Sequence, residues 1–163
     1  MMRTFIKLFI LFLIATVLHW AFTAILGSWS MSMNFMLIFA LAVCAHTKPE
    51  YGYPVAFVCG LFLDFFGVKL FGHNALLFTL CAMCIYTLEN RLDFETVAPQ
   101  VVCVTGLSLF WSLSNWALLQ AFAGFSAWGG WGPFLGGLTL SALLAPVVFW
   151  CLSHVFDRKT MMY

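Results

Sequence analysis

The sequence predicts an all-α polytopic membrane protein, a single integral membrane domain over residues 1–163 with six transmembrane helices. Three observations predict it. Of the 163 residues, 64% are hydrophobic and only 8% charged, against about 25% charged in an average soluble domain, so a water-facing surface could not be covered. The apolar residues fall into six runs separated by glycine, proline or charge. With both termini in the cytoplasm, Arg3, Lys7, Lys48, Arg91, Arg158 and Lys159 lie inside and only Lys69 outside, the bias that the positive-inside rule describes.

Each run has its own boundaries. Leu8 to Leu26 is long enough to cross a bilayer at about 1.5 Å per residue, with Arg3 and Lys7 just before it. It exceeds the 7 to 15 residues of a signal-peptide core and Trp20 interrupts the approach to any cleavage site, so it is expected to be retained. Met31 to Ala45 follows a serine-rich turn and is short for a span, which implies tilt or local thinning. His46, Lys48, Pro49, Glu50, Gly52 and Pro54 read as a polar, proline-bounded surface break. Val55 to Phe71 and Ala75 to Leu88 form a hairpin about Gly72, His73 and Asn74. Charge bias does not separate a spanning pair from a re-entrant one, because both return the chain to the same side.

The segment from Glu89 to Glu95 is the densest charge cluster and must face water. It is equally readable as a docking handle for a cytoplasmic partner and as a solvated turn. The fifth run opens near Pro99 and ends by Ala123, and a glycine-rich loop follows in which Trp128 and Trp131 are expected to anchor at the headgroup level. Phe134 to Val155 is the sixth, with Pro146 bending it.

Several functional classes are excluded. A net charge of +1 without a basic cluster is no nucleic-acid footprint. Six spans of about 20 residues leave no room within these residues for a soluble catalytic scaffold. His19, His46, His73 and His154 are scattered and make no ligand pair. The six cysteines lie in or beside apolar runs, where thiols behave as small hydrophobes, and the spacing of Cys81 and Cys84 has no redox fold around it. No cofactor or metal is expected.

Asp64 carries the most information, because a carboxylate near mid-span costs about 2.5–3.5 kcal/mol on insertion scales. Gly60 and Gly67 share its helical face, notched for close approach by another helix. A proton or ion relay is one reading of Asp64; a neutral or hydrogen-bonded group fixing a helix contact is the other. No second intramembrane acid is present, which disfavours a relay and sets aside an aspartic protease dyad. On the fifth run Thr105, Ser108, Ser112 and Asn115 share one face. On the sixth, Gly137, Ser141 and Ala145 repeat every four residues as a smooth packing seam that ends at Pro146.

Phe57, Gly60, Leu61, Asp64, Gly72, Ala75 and Leu76 stand at spacings that resemble the signature of the bacterial rod shape-determining MreD family. That pattern places a Gly-Leu pair four residues before an aspartate, a glycine eight after it and an Ala-Leu pair just beyond. Ala56 stands where the family usually has a first glycine, and Met33 and Asn34 where a proline often opens the second span. Pro146, the Arg158-Lys159 tail and the length are also similar to that family. The resemblance implies a non-enzymatic inner-membrane component of the cell-elongation machinery. Its implied partners are a membrane-anchored periplasmic MreC-like protein and, directly or indirectly, an MreB-like filament and the peptidoglycan polymerase and transpeptidase. The helix arrangement also looks similar to the substrate-binding subunits of energy-coupling-factor vitamin transporters, the alternative function. The notch at Gly60, Asp64 and Gly67, or the seam at Gly137, Ser141 and Ala145, is expected to receive the partner's transmembrane helix.

Overall fold

A computed structural model describes residues 2–26, 34–66, 70–89, 96–123 and 130–156. Among the described residues there are six α-helices and no strands: α1 (Met2–Leu26), α2 (Phe35–Cys44), α3 (Pro49–Phe66), α4 (His73–Glu89), α5 (Val97–Ala123) and α6 (Trp131–Val155). Three of them are long and apolar enough to cross a membrane, over Ile6–Ile25, Val97–Phe122 and Trp131–Val155. At 1.5 Å per residue α3 and α4 are about 27 and 26 Å long, slightly less than the roughly 30 Å hydrocarbon core.

The short second run is the centre of the fold. All ten residues of α2 are buried, and the helix packs against each of the other five. At about 15 Å it is half the thickness of a bilayer core. A helix apolar on every face belongs inside a protein or a membrane, and here the other helices are what surround it. Asn34 opens it, its side-chain oxygen accepting the N–H of Leu37 at 3.2 Å. α1 is the opposite case. Leu8 and Ala15 are buried, whereas Phe9, Leu13, Ile14 and Val17 face outward, the distribution expected of a helix bordered largely by lipid.

Contacts between helix ends show that successive helices alternate in direction. At one end Lys7 Nζ of α1 donates to the carbonyl of Val155 in α6 at 3.3 Å, and the rings of His46 and Phe149 meet at 5.6 Å. At that same end Tyr86 of α4 donates its hydroxyl proton to the Thr47 carbonyl at 3.2 Å, beside the start of α3. At the other end Phe22 of α1 stacks on Phe35 of α2, and Trp20 meets Phe66 of α3 edge-on. Lys7 and Lys48 therefore lie at one end of the bundle. Lys69, Arg91, Arg158, Lys159 and Trp128 lie outside the described residues.

Several boundaries differ from the sequence reading, among them the start of α4 at His73 rather than Ala75. α3 begins at Pro49 and runs through Pro54, whereas the proline-bounded segment reads as a loop. Pro49 occupies the first helical position, where a missing N–H costs nothing. Pro54 deprives only the Glu50 carbonyl of its partner, and Glu50 is exposed. α6 begins at Trp131 rather than Phe134; Gly130, at φ 94°, makes the sharp entry, and Trp131 is an exposed first residue of the helix.

Candidate functional site

The site grows out of the turn between α3 and α4. Gly72 has φ 91°, a left-handed conformation that glycine adopts without strain, and its carbonyl accepts the N–H of Leu76 at 3.0 Å. It is thus the N-cap of α4. A cap residue ordinarily supplies a side-chain oxygen to the second and third N–H groups of its helix, and glycine has none to give. Asp64, from α3, supplies it instead. One carboxylate oxygen accepts the backbone N–H of Asn74 at 3.1 Å and the other that of Ala75 at 3.0 Å. Asp64 is 2% exposed, and its carboxyl oxygens stand at the positive end of the α4 dipole.

One further donor reaches the same carboxyl. Asn74 Nδ2 donates to Asp64 Oδ1 at 3.1 Å, while His73 Nδ1 stands 3.2 Å from that oxygen and hydrogen-bonds to the Leu70 carbonyl at 2.6 Å. The three donors hydrogen-bonded to it are the Asn74 and Ala75 N–H groups and the Asn74 amide, so Asp64 is a hydrogen-bonded group that fixes a helix contact. The network continues into α5: Trp111 Nε1 donates to Asn74 Oδ1 at 3.1 Å, and His73 Nε2 lies 2.8 Å from Asn115 Oδ1. The Asn74 amide can be oriented only one way, because indole can only donate and carboxylate only accept. Three helices are joined at one buried point.

Close approach of α3 and α4 makes the geometry possible. A Cβ added at Gly60 would stand 2.5 Å from Ala75 Cα and 2.6 Å from both Ala75 N and Asn74 O. Gly60 and Ala75 are therefore the contact point of the two helices, with Asp64 one turn further along. The notch predicted around Gly60 and Asp64 is filled by α4 of the same chain, so it is not open to a partner helix; Gly67 lies outside the described residues. Gly137, Ser141 and Ala145 are likewise buried within the chain, where α6 packs on α5 and α2. Ser141 donates to the Gly137 carbonyl at 2.8 Å. Pro146 sits inside the helix just beyond this seam. Phe57 and Leu76 are 48% and 57% exposed and point away from the joint, while Leu61 is half-buried.

A family model for the rod shape-determining protein MreD matches residues 1–155. The chain belongs to the MreD family. No curated protein and no solved structure matches it. The signature spacing of that family acquires a physical meaning here: Gly60 allows the approach, Gly72 turns the chain, Asp64 caps the new helix and Ala75 keeps the crossing tight. MreD-family membership makes the chain a membrane component of rod-shape determination, and the three long apolar helices agree with that.

Sequence reasoning missed His73, Asn74 and Trp111 as members of the site. It noted Asn115 only as part of a polar face with Thr105, Ser108 and Ser112. Ser108 is buried, and Ser112 Oγ is buried without a hydrogen-bond partner among the described residues. A second joint lies at the other end, where Tyr86 tucks its hydroxyl into the space left by Gly52. Cys44 Sγ donates to the Gly52 carbonyl there at 3.5 Å. Among the described residues no group of three His, Cys, Asp or Glu is placed to hold a metal ion.

Proposed function

We propose that this protein is a non-enzymatic scaffold of the bacterial inner membrane that helps to maintain rod shape by organising the cell-elongation complex. It crosses the membrane six times, with both termini cytoplasmic, and binds a membrane-anchored MreC-like protein. Through that partner, or directly, it is linked to an MreB-like filament and the peptidoglycan polymerase and transpeptidase. The observation that carries this reading is the family match over residues 1–155. It is supported by the alternation of the six helices, which brings the start of α1 and the end of α6 to one end of the bundle.

The polar centre is consistent with assembly. Its donors and acceptors join α3, α4 and α5 to one another. Because the small-residue faces are consumed inside the chain, the partner contact falls to outward residues, and among those matching the family signature these are Phe57 and Leu76. The vitamin-carrier alternative receives no support from the family match.

The test is purification of the tagged protein from native bacterial membranes with identification of what accompanies it, alongside cell shape after depletion. An MreC-like protein in the eluate and rounding of depleted cells are expected. Recovery of a transporter energising module, with rod shape retained, would overturn the reading.

A further inference from the structure

Lys7 is a cation without a counterion. Its side chain is exposed at the point where α1 enters its apolar stretch, Ile6–Ile25, and its ammonium reaches across to the Val155 carbonyl of α6 at 3.3 Å. That bond uses one of the three ammonium protons. Among the described residues no carboxylate pairs with Lys7, and neither α1 nor α6 contains an acidic residue. Beside Val155 in the chain stands His154, exposed, whose Nδ1 donates to the Trp150 carbonyl at 3.0 Å and whose ring lies 4.6 Å from the Trp150 indole. Trp150 is exposed as well, and its indole N–H meets no acceptor among the described residues. Five positions before the end of α6, it lies about 7.5 Å inside that end, within the interfacial depth where indole rings anchor.

We infer that Lys7 and Trp150 hold the anionic headgroup of a phospholipid whose acyl chains lie along the outward faces of α1 and α6. Both helices pack against α2, and the side chains leading away from the pair are apolar and exposed: Phe9, Ile10 and Leu13 on α1, Leu143 and Val147 on α6. The phosphate oxygens accept from Lys7 Nζ and Trp150 Nε1, so the donors that the fold leaves over are satisfied. His154 positions the indole and takes no part in binding itself. Charge selects the lipid: a net negative headgroup neutralises the unpaired ammonium, whereas a zwitterionic one brings a cation of its own. Depth selects lipid over a soluble anion, because the cation stands where hydrocarbon side chains begin and one ligand meets both. The inference rests on the membrane-spanning reading and not on the MreC-like partner.

Thermal unfolding of the full chain in mild detergent, with phosphatidylglycerol or phosphatidylcholine added at equal mole fraction, is the experiment. Phosphatidylglycerol at about ten times its dissociation constant is expected to raise the unfolding temperature by about 3–5 °C, and phosphatidylcholine by less than half as much. Inorganic phosphate at the same concentration is expected to have no effect. Lys7→Gln and Trp150→Leu should each lose at least half of the phosphatidylglycerol response, whatever their own starting stability, and Lys7→Arg should keep it. Lys48→Gln removes a cation from the turn between α2 and α3 and should leave the response intact. Native mass spectrometry of the wild type needs no variant and should find phosphatidylglycerol retained in preference to phosphatidylcholine. Equal responses to the two lipids, a full response to free phosphate, a full response in Lys7→Gln, or losses as large in Lys48→Gln as in Lys7→Gln would each overturn the inference. Failure of the membrane-spanning reading itself shows separately, as a chain that stays in solution without detergent.

Discussion

Asp64 caps a helix to which it does not belong. Its Oδ2 accepts the backbone N–H of Ala75 at 3.0 Å, filling the role that the side-chainless Gly72 leaves vacant at the start of α4. The bond ties the end of α3 to the beginning of α4, so the stability of the hairpin and the identity of residue 64 are one question. A carboxylate is the natural group for that position: it offers two acceptor oxygens, and negative charge is favourable at a helix N-terminus.

Asp64→Asn is expected to destabilise the protein although it removes a buried charge. An amide offers one oxygen, so its NH2 would confront either the Asn74 or the Ala75 N–H. An unsatisfied buried donor costs about 1–3 kcal/mol, and Asp64→Ala, which orphans both, about twice that. Thermal unfolding in detergent measures this. An Asn variant as stable as wild type would show that the two N–H groups find other partners.

Gly60→Ala should be among the most damaging methyl additions in the chain. The atoms it would meet are the backbone of Ala75 and Asn74, which no rotamer change can move, so overpacking of about 1–3 kcal/mol is a lower bound. Ala75→Gly in the same chain should not rescue it, since the clash is with Cα and N. Gly106→Ala is the control, because a Cβ there meets nothing within 4 Å. Equal unfolding temperatures for the two single alanine variants would remove the close crossing from the account.

At the opposite end the relationship is between Gly52 and Tyr86, and here the obstacle is a side chain. Gly52→Ala should expel the Tyr86 hydroxyl from the Thr47 carbonyl. Combining it with Tyr86→Leu should cost less than the sum of the two single changes, by about 0.5–3 kcal/mol of coupling. Strict additivity in a double-mutant cycle would refute the contact.

Phe57→Ala and Leu76→Ala separate assembly from folding. Both side chains are about half exposed and outside the joint, so stability should change by about 0.5 kcal/mol or less, as at most surface positions. Recovery of the MreC-like partner should fall at least several-fold. Full recovery of the partner with both variants would move the contact to another face.

The sequence reading located Gly60, Asp64, Gly72 and Ala75 as a unit, because a mid-span acid and small residues at helical spacing are visible in one dimension. It assigned their face to the wrong neighbour: what lies against Gly60 is Ala75, fifteen positions along, after a turn of the chain. His73 and Asn74 read as turn residues since turns favour them regardless, and Trp111 reads as one apolar residue among many. Nothing local to α5 says that an indole N–H and the Asn115 amide will converge on the same carboxylate.

What the sequence by itself determined is the solvent and the segmentation. With 8% charge the chain has to lie in hydrocarbon, and backbone groups there must be satisfied within helices, so six apolar runs become six helices. The tertiary structure alone decided which helix is the core and what the buried acid does. Lipid and protein interior are equally apolar, so hydropathy cannot tell α2, enclosed on every side, from α1, which faces outward along most of its length. Only packing distinguishes them, and only the meeting of α3 with the open end of α4 turns Asp64 from a costly charge into a cap.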